Sequence, residues 1–196
     1  DIVNVSAHFG WDRPAVMGHS FCGRLAIFFA AHFPDRLSHL IVVDSQLGNA
    51  GPGKYEVSVG NPREVFETVE AAMASLADRH SPPRFSLDRD RAELALDKVD
   101  GGYALKRDPD NGNRQSQAPG APKPRLRDLD VWVALSQVRC PVTMIGGLKS
   151  DRYKPEYYER IARDYPDIGI ETVDSRHDMA FEAPDQLVGV VRRVLD

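Results

Sequence analysis

One serine, one histidine and a choice of aspartates are spaced so that a folded chain could join them for nucleophilic chemistry. Ser20 lies in Gly18-His19-Ser20-Phe21-Cys22-Gly23, between the apolar run Ala15-Val16-Met17 and a helical run from Arg24 to Ala31. A serine on a sharp turn between strand and helix has its hydroxyl lifted off the sheet. The first N–H groups of the helix then point where a developing oxyanion can use them, and the Phe21 N–H is the candidate donor. A serine hydroxyl is a poor nucleophile at neutral pH unless an imidazole takes its proton. His177, in the loop Asp174-Ser175-Arg176-His177-Asp178-Met179, is the candidate base. His8 and His32 fall on helical stretches, His39 opens a strand, His80 falls in an insertion, and His19 reads as a brace for the turn. The imidazole in turn needs a carboxylate to fix its tautomer and stabilise its charged form. Asp151 is the first choice for this acid, and Asp44 is the alternative because it too closes a strand. Asp178, next to His177, points elsewhere by local geometry, and the short separation of Asp174 makes it a weaker candidate.

The elements that must position these residues are legible around them. Residues 15–18 read as a strand, 21–32 as a helix stopped before Pro34, and 40–43 as a second strand ending at Asp44. Two strands joined by one helix make a parallel unit with a right-handed crossover. Cys140-Pro141-Val142-Thr143-Met144-Ile145-Gly146-Gly147 reads as a buried strand ending in glycines, followed by Leu148-Lys149-Ser150-Asp151-Arg152. A helix over 155–165 and a strand over 168–173 complete the series. Ser20, Asp151 and His177 follow one another in that order, the later two just past strand ends, which is the order of a triad on a parallel α/β sheet. The elbow pattern departs from Gly-x-Ser-x-Gly at Cys22, with Gly23 one place later. Helix and strand approach closely there, so Cys22 is expected to cost some strain.

This sequence resembles the α/β-hydrolase superfamily. Residues 15–45 resemble its elbow strand, following helix and next strand, and residues 138–196 resemble its last two strands, acid loop, histidine loop and final helix. Gly-Gly-Leu-Lys-Ser-Asp carries the likeness of the acid loop, and Arg-His-Asp-Met-Ala-Phe-Glu-Ala-Pro-Asp that of the histidine loop. The resemblance implies an α/β fold whose core is residues 1–48 and 126–196, with 49–125 as a helical cap or lid over the active site. Within that insertion, a helix is expected from Asn61-Pro62 through Leu76 and a second over 88–99, with Leu94 and Leu96 facing inward. An extended stretch at 103–107 and a loop over 108–124 follow, and 126–135 reads as a short helix. The opening residues, 1–11, look like the helix that leads into the elbow strand. The strands that precede it in the superfamily, with the loop that supplies a second oxyanion donor, are therefore expected on a segment missing from this sequence. That expectation leaves the elbow strand with an exposed edge, to be covered by the missing segment or by a second copy in a homo-oligomer.

Composition narrows the rest. The 196 residues are 42% hydrophobic, enough for a sizeable core, and the net charge of −4 with dispersed arginines gives no nucleic-acid footprint. No apolar run approaches the ~18 residues of a membrane span, and a cytoplasmic location is expected. Two cysteines, Cys22 and Cys140, make no disulfide framework and are expected as buried thiols. Neither a zinc-ligand spacing nor a glycine-rich phosphate loop is visible, so no cofactor or metal is expected.

These residues imply acyl transfer to Ser20 and hydrolysis of a small ester-type substrate, a carboxylic ester or a lactone. A same-fold carbon–carbon bond hydrolase or cofactor-free haloperoxidase would use the same triad. A different class of reading is a truncated, non-catalytic fragment or interaction module. Serine at the elbow argues against the aspartate-dependent dehalogenases and epoxide hydrolases of the superfamily.

Overall fold

Leu40, Ile41, Val42 and Val43 form an unbroken apolar run, the pattern of a strand covered on both faces, and all four are buried. The computed structural model describes residues 1–47, 64–78, 89–106 and 130–196. In chain order it begins with α1 (Ile2–His8), β1 (Ala15–His19), α2 (Phe21–His32) and β2 (His39–Val43). The middle of the chain contributes β3 (Val65–Phe66), α3 (Val69–Asp78), α4 (Arg89–Ala95), β4 (Leu96–Val99) and β5 (Gly102–Leu105). Then come α5 (Val131–Ser136), β6 (Val142–Gly147), α6 (Pro155–Asp164), β7 (Gly169–Val173), α7 (Met179–Glu182) and α8 (Pro184–Leu195). The chain divides into two compact units, Asp1–Gly51 with Leu126–Asp196, and Pro52–Arg125.

The first unit is built on a parallel sheet of order β1-β2-β6-β7. Alternation along β2 sends its side chains to two different cores. Leu40 and Val42 join Ala26, Ile27 and Ala30 of α2, Val131 and Leu135 of α5, and Ile161 of α6. Ile41 and Val43 join Ile145, Val173, Met179 and, from α8, Leu187 and Val190. Each fully buried side chain of this kind stabilises the fold by about 1.5–3 kcal/mol, so helices on both faces are what hold the four strands in register. Asp130 caps α5 by accepting from the Trp132 and Val133 N–H groups, satisfying donors that a helix start leaves unpaired. Among the described strands β1 lies at an edge of the sheet, with Met17 exposed. α1 buries none of its residues, and the Phe9 and Trp11 rings that follow it stack 4.9 Å apart.

The second unit holds more strand than the helical insertion with one extended stretch that was expected. Its described residues include an antiparallel sheet of order β3-β5-β4, packed on α3 and α4 through Phe66, Val69, Ala72, Ala92 and Leu96. The expected helix over 88–99 stops at Ala95 and continues as β4, whose residues Leu96 to Val99 pair antiparallel with β5. Asp100 and Gly101 make the tight turn to β5, with Gly101 at φ +86° in the region that favours glycine. Leu96 is buried as expected, whereas Leu94 is 74% exposed. The start of the first expected helix at Asn61-Pro62, His80, the loop over 108–124 and the beginning of the helix expected at 126 lie outside the described residues. Among the described residues, no helix is long and apolar enough to cross a membrane.

Candidate active site

Every polar group of the candidate site stands at the carboxyl end of a parallel strand, the end at which open α/β sheets bind their ligands. Ser20 follows β1 directly, at φ +55°, and Asp44 follows β2, at φ +45°. Such backbone is strained for any residue but glycine, by about 1–3 kcal/mol each. Hydrogen bonds to the neighbouring strand hold both residues there. The Ser20 N–H donates to the Val43 carbonyl at 2.8 Å, and the Asp44 N–H donates to the Ile145 carbonyl at 2.7 Å.

The elbow depends on two glycines. A Cβ at Gly18 would lie 2.4 Å from the Cys22 carbonyl oxygen, and one at Gly23 would lie 2.8 Å from Ser45 Cβ. The helix meets β1 through the backbone of Cys22 and Gly23, and it is Gly23, rather than position 22, that must lack a side chain to pass Ser45. The strain expected at Cys22 does not arise, because its side chain is exposed; of the two expected buried thiols only Cys140 is buried. Burial pushes the Cys140 thiol above its ordinary pKa.

His177 joins the two strand ends. Its Nδ1 lies 2.6 Å from Asp44 Oδ2, and its Nε2 lies 2.9 Å from Ser20 Oγ. A carboxylate only accepts, so Nδ1 carries the proton of the neutral ring, and Nε2 is left to accept from the serine hydroxyl. Asp44 is fully buried, with its side chain 0% exposed. Its Oδ1 accepts from the Gly147 N–H at 3.2 Å, and its Oδ2 accepts from the Ser150 hydroxyl at 2.5 Å as well as from His177. A buried carboxylate without such donors would be strongly disfavoured. Burial, with the Asp44 carboxylate and Tyr153 adding to it, pushes the Tyr158 phenol above its ordinary pKa, so it stays neutral.

Asp151, the first choice for the acid, is not in this cluster. Its side chain is 60% exposed, and its Oδ1 lies 3.6 Å from Arg152 Nε. The cause is local. The turn after β6, closed by the Ser150 N–H on the Gly147 carbonyl, directs Ser150 inward and the next residue outward. The structure thus brings together Ser20, His177 and the alternative acid, Asp44. Phe21 begins α2, where a helix leaves its first N–H groups without an intrahelical partner, and its side chain is exposed.

Sequence reasoning missed the supports of the histidine. Glu182 accepts from the Arg176 N–H at 3.0 Å, and its other oxygen lies 2.7 Å from the Arg176 guanidinium. His19 Nε2 donates to the His177 carbonyl at 2.9 Å, and the two rings lie 4.6 Å apart. His19 thus ties the elbow to the histidine loop, a more specific contact than a brace of the elbow alone. Gly147 lets β6 reach the same loop: a Cβ there would lie 2.7 Å from the Ser175 carbonyl oxygen and 2.9 Å from that of Arg176. Gly147→Ala must push the loop away from Asp44. A misplacement near 1 Å costs about a hundredfold in rate, so turnover of a p-nitrophenyl ester should fall by about that factor. The melting temperature, followed by far-UV circular dichroism, should fall by only a few degrees.

A parallel sheet with helices on both faces, and these residues at its strand ends, define an α/β enzyme scaffold. The profile of the alpha/beta hydrolase family matches residues 1–190, and the chain belongs to that family. Among solved structures it is similar to E-2-(acetamidomethylene)succinate hydrolase, with a TM-score of 0.76 and 21% identity, over 100% of this chain and 71% of that one. It is also similar to a novel esterase from Mycobacterium tuberculosis, with a TM-score of 0.73 and 19% identity, over 100% of this chain and 65% of that one. A thioesterase domain from the curacin biosynthetic pathway aligns with a TM-score of 0.69 and 18% identity, over 97% of this chain and 71% of the domain. Comparison with curated proteins finds no match.

Proposed function

We propose that this chain is a serine hydrolase that cleaves an ester-type bond, a carboxylic ester or a lactone, with Ser20 as nucleophile, His177 as general base and Asp44 as the acid that orients it. The single observation that carries this reading is the unbroken chain from Asp44 Oδ2 through His177 to Ser20 Oγ, at 2.6 and 2.9 Å, with the carboxylate fully buried. Family membership supports it, as do the neighbouring structures described as an esterase, a thioesterase domain and a hydrolase.

The chemistry follows from the geometry. As Ser20 Oγ attacks the substrate carbonyl, its proton passes to His177 Nε2. The ring becomes cationic while its Nδ1–H still points at Asp44, so the buried carboxylate stabilises the charge that forms. The oxygen of the tetrahedral intermediate turns toward the Phe21 N–H, with the N-terminal end of α2 adding its partial positive charge. His177 then gives its proton to the leaving alcohol, and the acyl group stays on Ser20. Water, deprotonated by the same Nε2, releases the acid and restores the serine.

A panel of probe substrates tests this reading. The purified chain is offered p-nitrophenyl esters of increasing acyl length, a γ-lactone, and a vinylogous 1,3-diketone whose cleavage breaks a carbon–carbon bond. Hydrolysis of the esters or the lactone, with a burst of one p-nitrophenol per chain on the esters, is the expected result. Cleavage of the diketone alone would move the reading to the carbon–carbon hydrolases. No turnover of any probe by a folded chain would overturn it.

A further inference from the structure

Ser150 is a buried hydroxyl that the mechanism above leaves without a task. Four hydrogen bonds fix its place. Its N–H donates to the Gly147 carbonyl at 2.9 Å, and its own carbonyl accepts from the Tyr153 N–H at 3.2 Å. Its Oγ accepts from the Arg152 N–H at 3.0 Å and donates to Asp44 Oδ2 at 2.5 Å. The Arg152 N–H occupies a lone pair of that oxygen, which leaves the hydroxyl proton to point at the carboxylate. The oxygen it reaches, Oδ2, is the same one that receives His177 Nδ1–H.

We propose that Ser150 is a positioning residue that holds Asp44 in line with His177 and shares the charge of Oδ2, thereby setting how strongly His177 binds its proton. The inference rests on the triad reading above. A carboxylate oxygen that accepts from two donors offers each a smaller share of its charge. Without the hydroxyl, Oδ2 turns its full charge on His177, and the imidazolium gains stability. Removing the donor thus raises the pH at which His177 becomes a free base. The carboxylate also loses one of three anchors, so the ring is held less well. Arg152, Arg176 and Asp178 are charged side chains close to Ser150 and His177 in the chain. The titratable rings beside the pair are His19, whose ring lies 4.6 Å from that of His177, and Tyr158, a neutral phenol that feels the charge of Asp44. Neither ring touches Ser150 Oγ in any hydrogen bond of the described residues.

The test compares Ser150→Ala and Ser150→Thr in the full chain. Hydrolysis of p-nitrophenyl acetate and the rate of fluorophosphonate labelling are followed from pH 5 to 9. For Ser150→Ala, kcat should fall by about tenfold, because a carboxylate that has lost one anchor holds the His177 ring less well for proton transfer. KM should stay within about twofold, since the group touches no substrate, and the acid limb of both profiles should move up by about half a pH unit or more. Ser150→Thr keeps the hydroxyl and should return the limb to its wild-type position. If Ser150→Ala does not fold, Ser150→Cys, similar in size and a weaker donor, should move the limb part of the way. An unmoved limb in Ser150→Ala, or in Ser150→Cys where that variant must stand in, would overturn the proposal, as would equal losses in Ala and Thr with no shift. Asp44→Asn separates the two levels. Full activity in that variant would overturn the triad and this proposal together, whereas a strong dependence on Asp44 beside an indifferent Ser150→Ala would overturn the role of Ser150 alone.

Discussion

Ser20→Ala lowers kcat on a p-nitrophenyl ester by about a millionfold, and His177→Ala by a similar factor. Alanine at 20 leaves no atom to form the acyl-enzyme, while alanine at 177 leaves the hydroxyl with its proton and no base within reach. The two residues are linked at 2.9 Å, and on the proposed mechanism they act as one unit. The double variant should therefore be no worse than either single one, since the second change removes a partner whose task has already gone. Steady-state kinetics on the three variants, with circular dichroism to show that each is folded, measures this. Losses that multiplied in the double variant would mean that the two side chains act separately, and the shared mechanism would fail.

Asp44→Asn lowers kcat by about ten-thousandfold, and Asp151→Asn leaves it within about twofold. The first change hardly alters the volume of the side chain but reverses the polarity of one of its ends. Asp44 receives the Gly147 N–H, the Ser150 hydroxyl and His177 Nδ1–H, so it must accept throughout. An asparagine placed there must aim its NH₂ group at one of these donors. Turned toward His177, it forces the ring to accept at Nδ1 and to carry its proton on Nε2, facing Ser20, where a base is needed. Turned away, it sets the NH₂ group against the Gly147 N–H instead and still lacks the charge that stabilises the imidazolium. Asp151 is held near Arg152 on the surface, where an ion pair of this kind contributes at most ~1 kcal/mol to stability and nothing to the ring. Kinetics on both variants, side by side, gives the ratio.

Ser20 was legible because its signal is local: an apolar run, a glycine, a serine and a helical run within a few residues. His177 was legible by elimination among few histidines and by the loop that holds it. The acid was not settled by sequence, since Asp44 and Asp151 both follow strands, and the choice turns on which side chain a turn directs inward. That direction depends on the backbone at Asp44, with φ at +45°, and on the tight turn from Gly147 to Ser150, neither of which leaves a mark in residue type. The resemblance of the acid loop drew attention one residue past Ser150, the side chain of that loop that does reach the site. The parallel sheet followed from apolar runs of strand length alternating with helical ones. The second unit is less legible, because Leu94 and Leu96 both fit a helical run, yet only Leu96 is buried. The Asp100-Gly101 pair, just before the extended stretch beginning at 103, is the available signal of a hairpin.

The most direct test of the central claim is covalent labelling of the folded chain by a fluorophosphonate, read by intact mass and by peptide mapping. The account predicts one added phosphonyl group, on Ser20, that is absent from Ser20→Ala, forms orders of magnitude more slowly in Asp44→Asn and forms at the wild-type rate in Asp151→Asn. A folded chain that takes up no label, or one that labels equally fast with asparagine at 44, would contradict it.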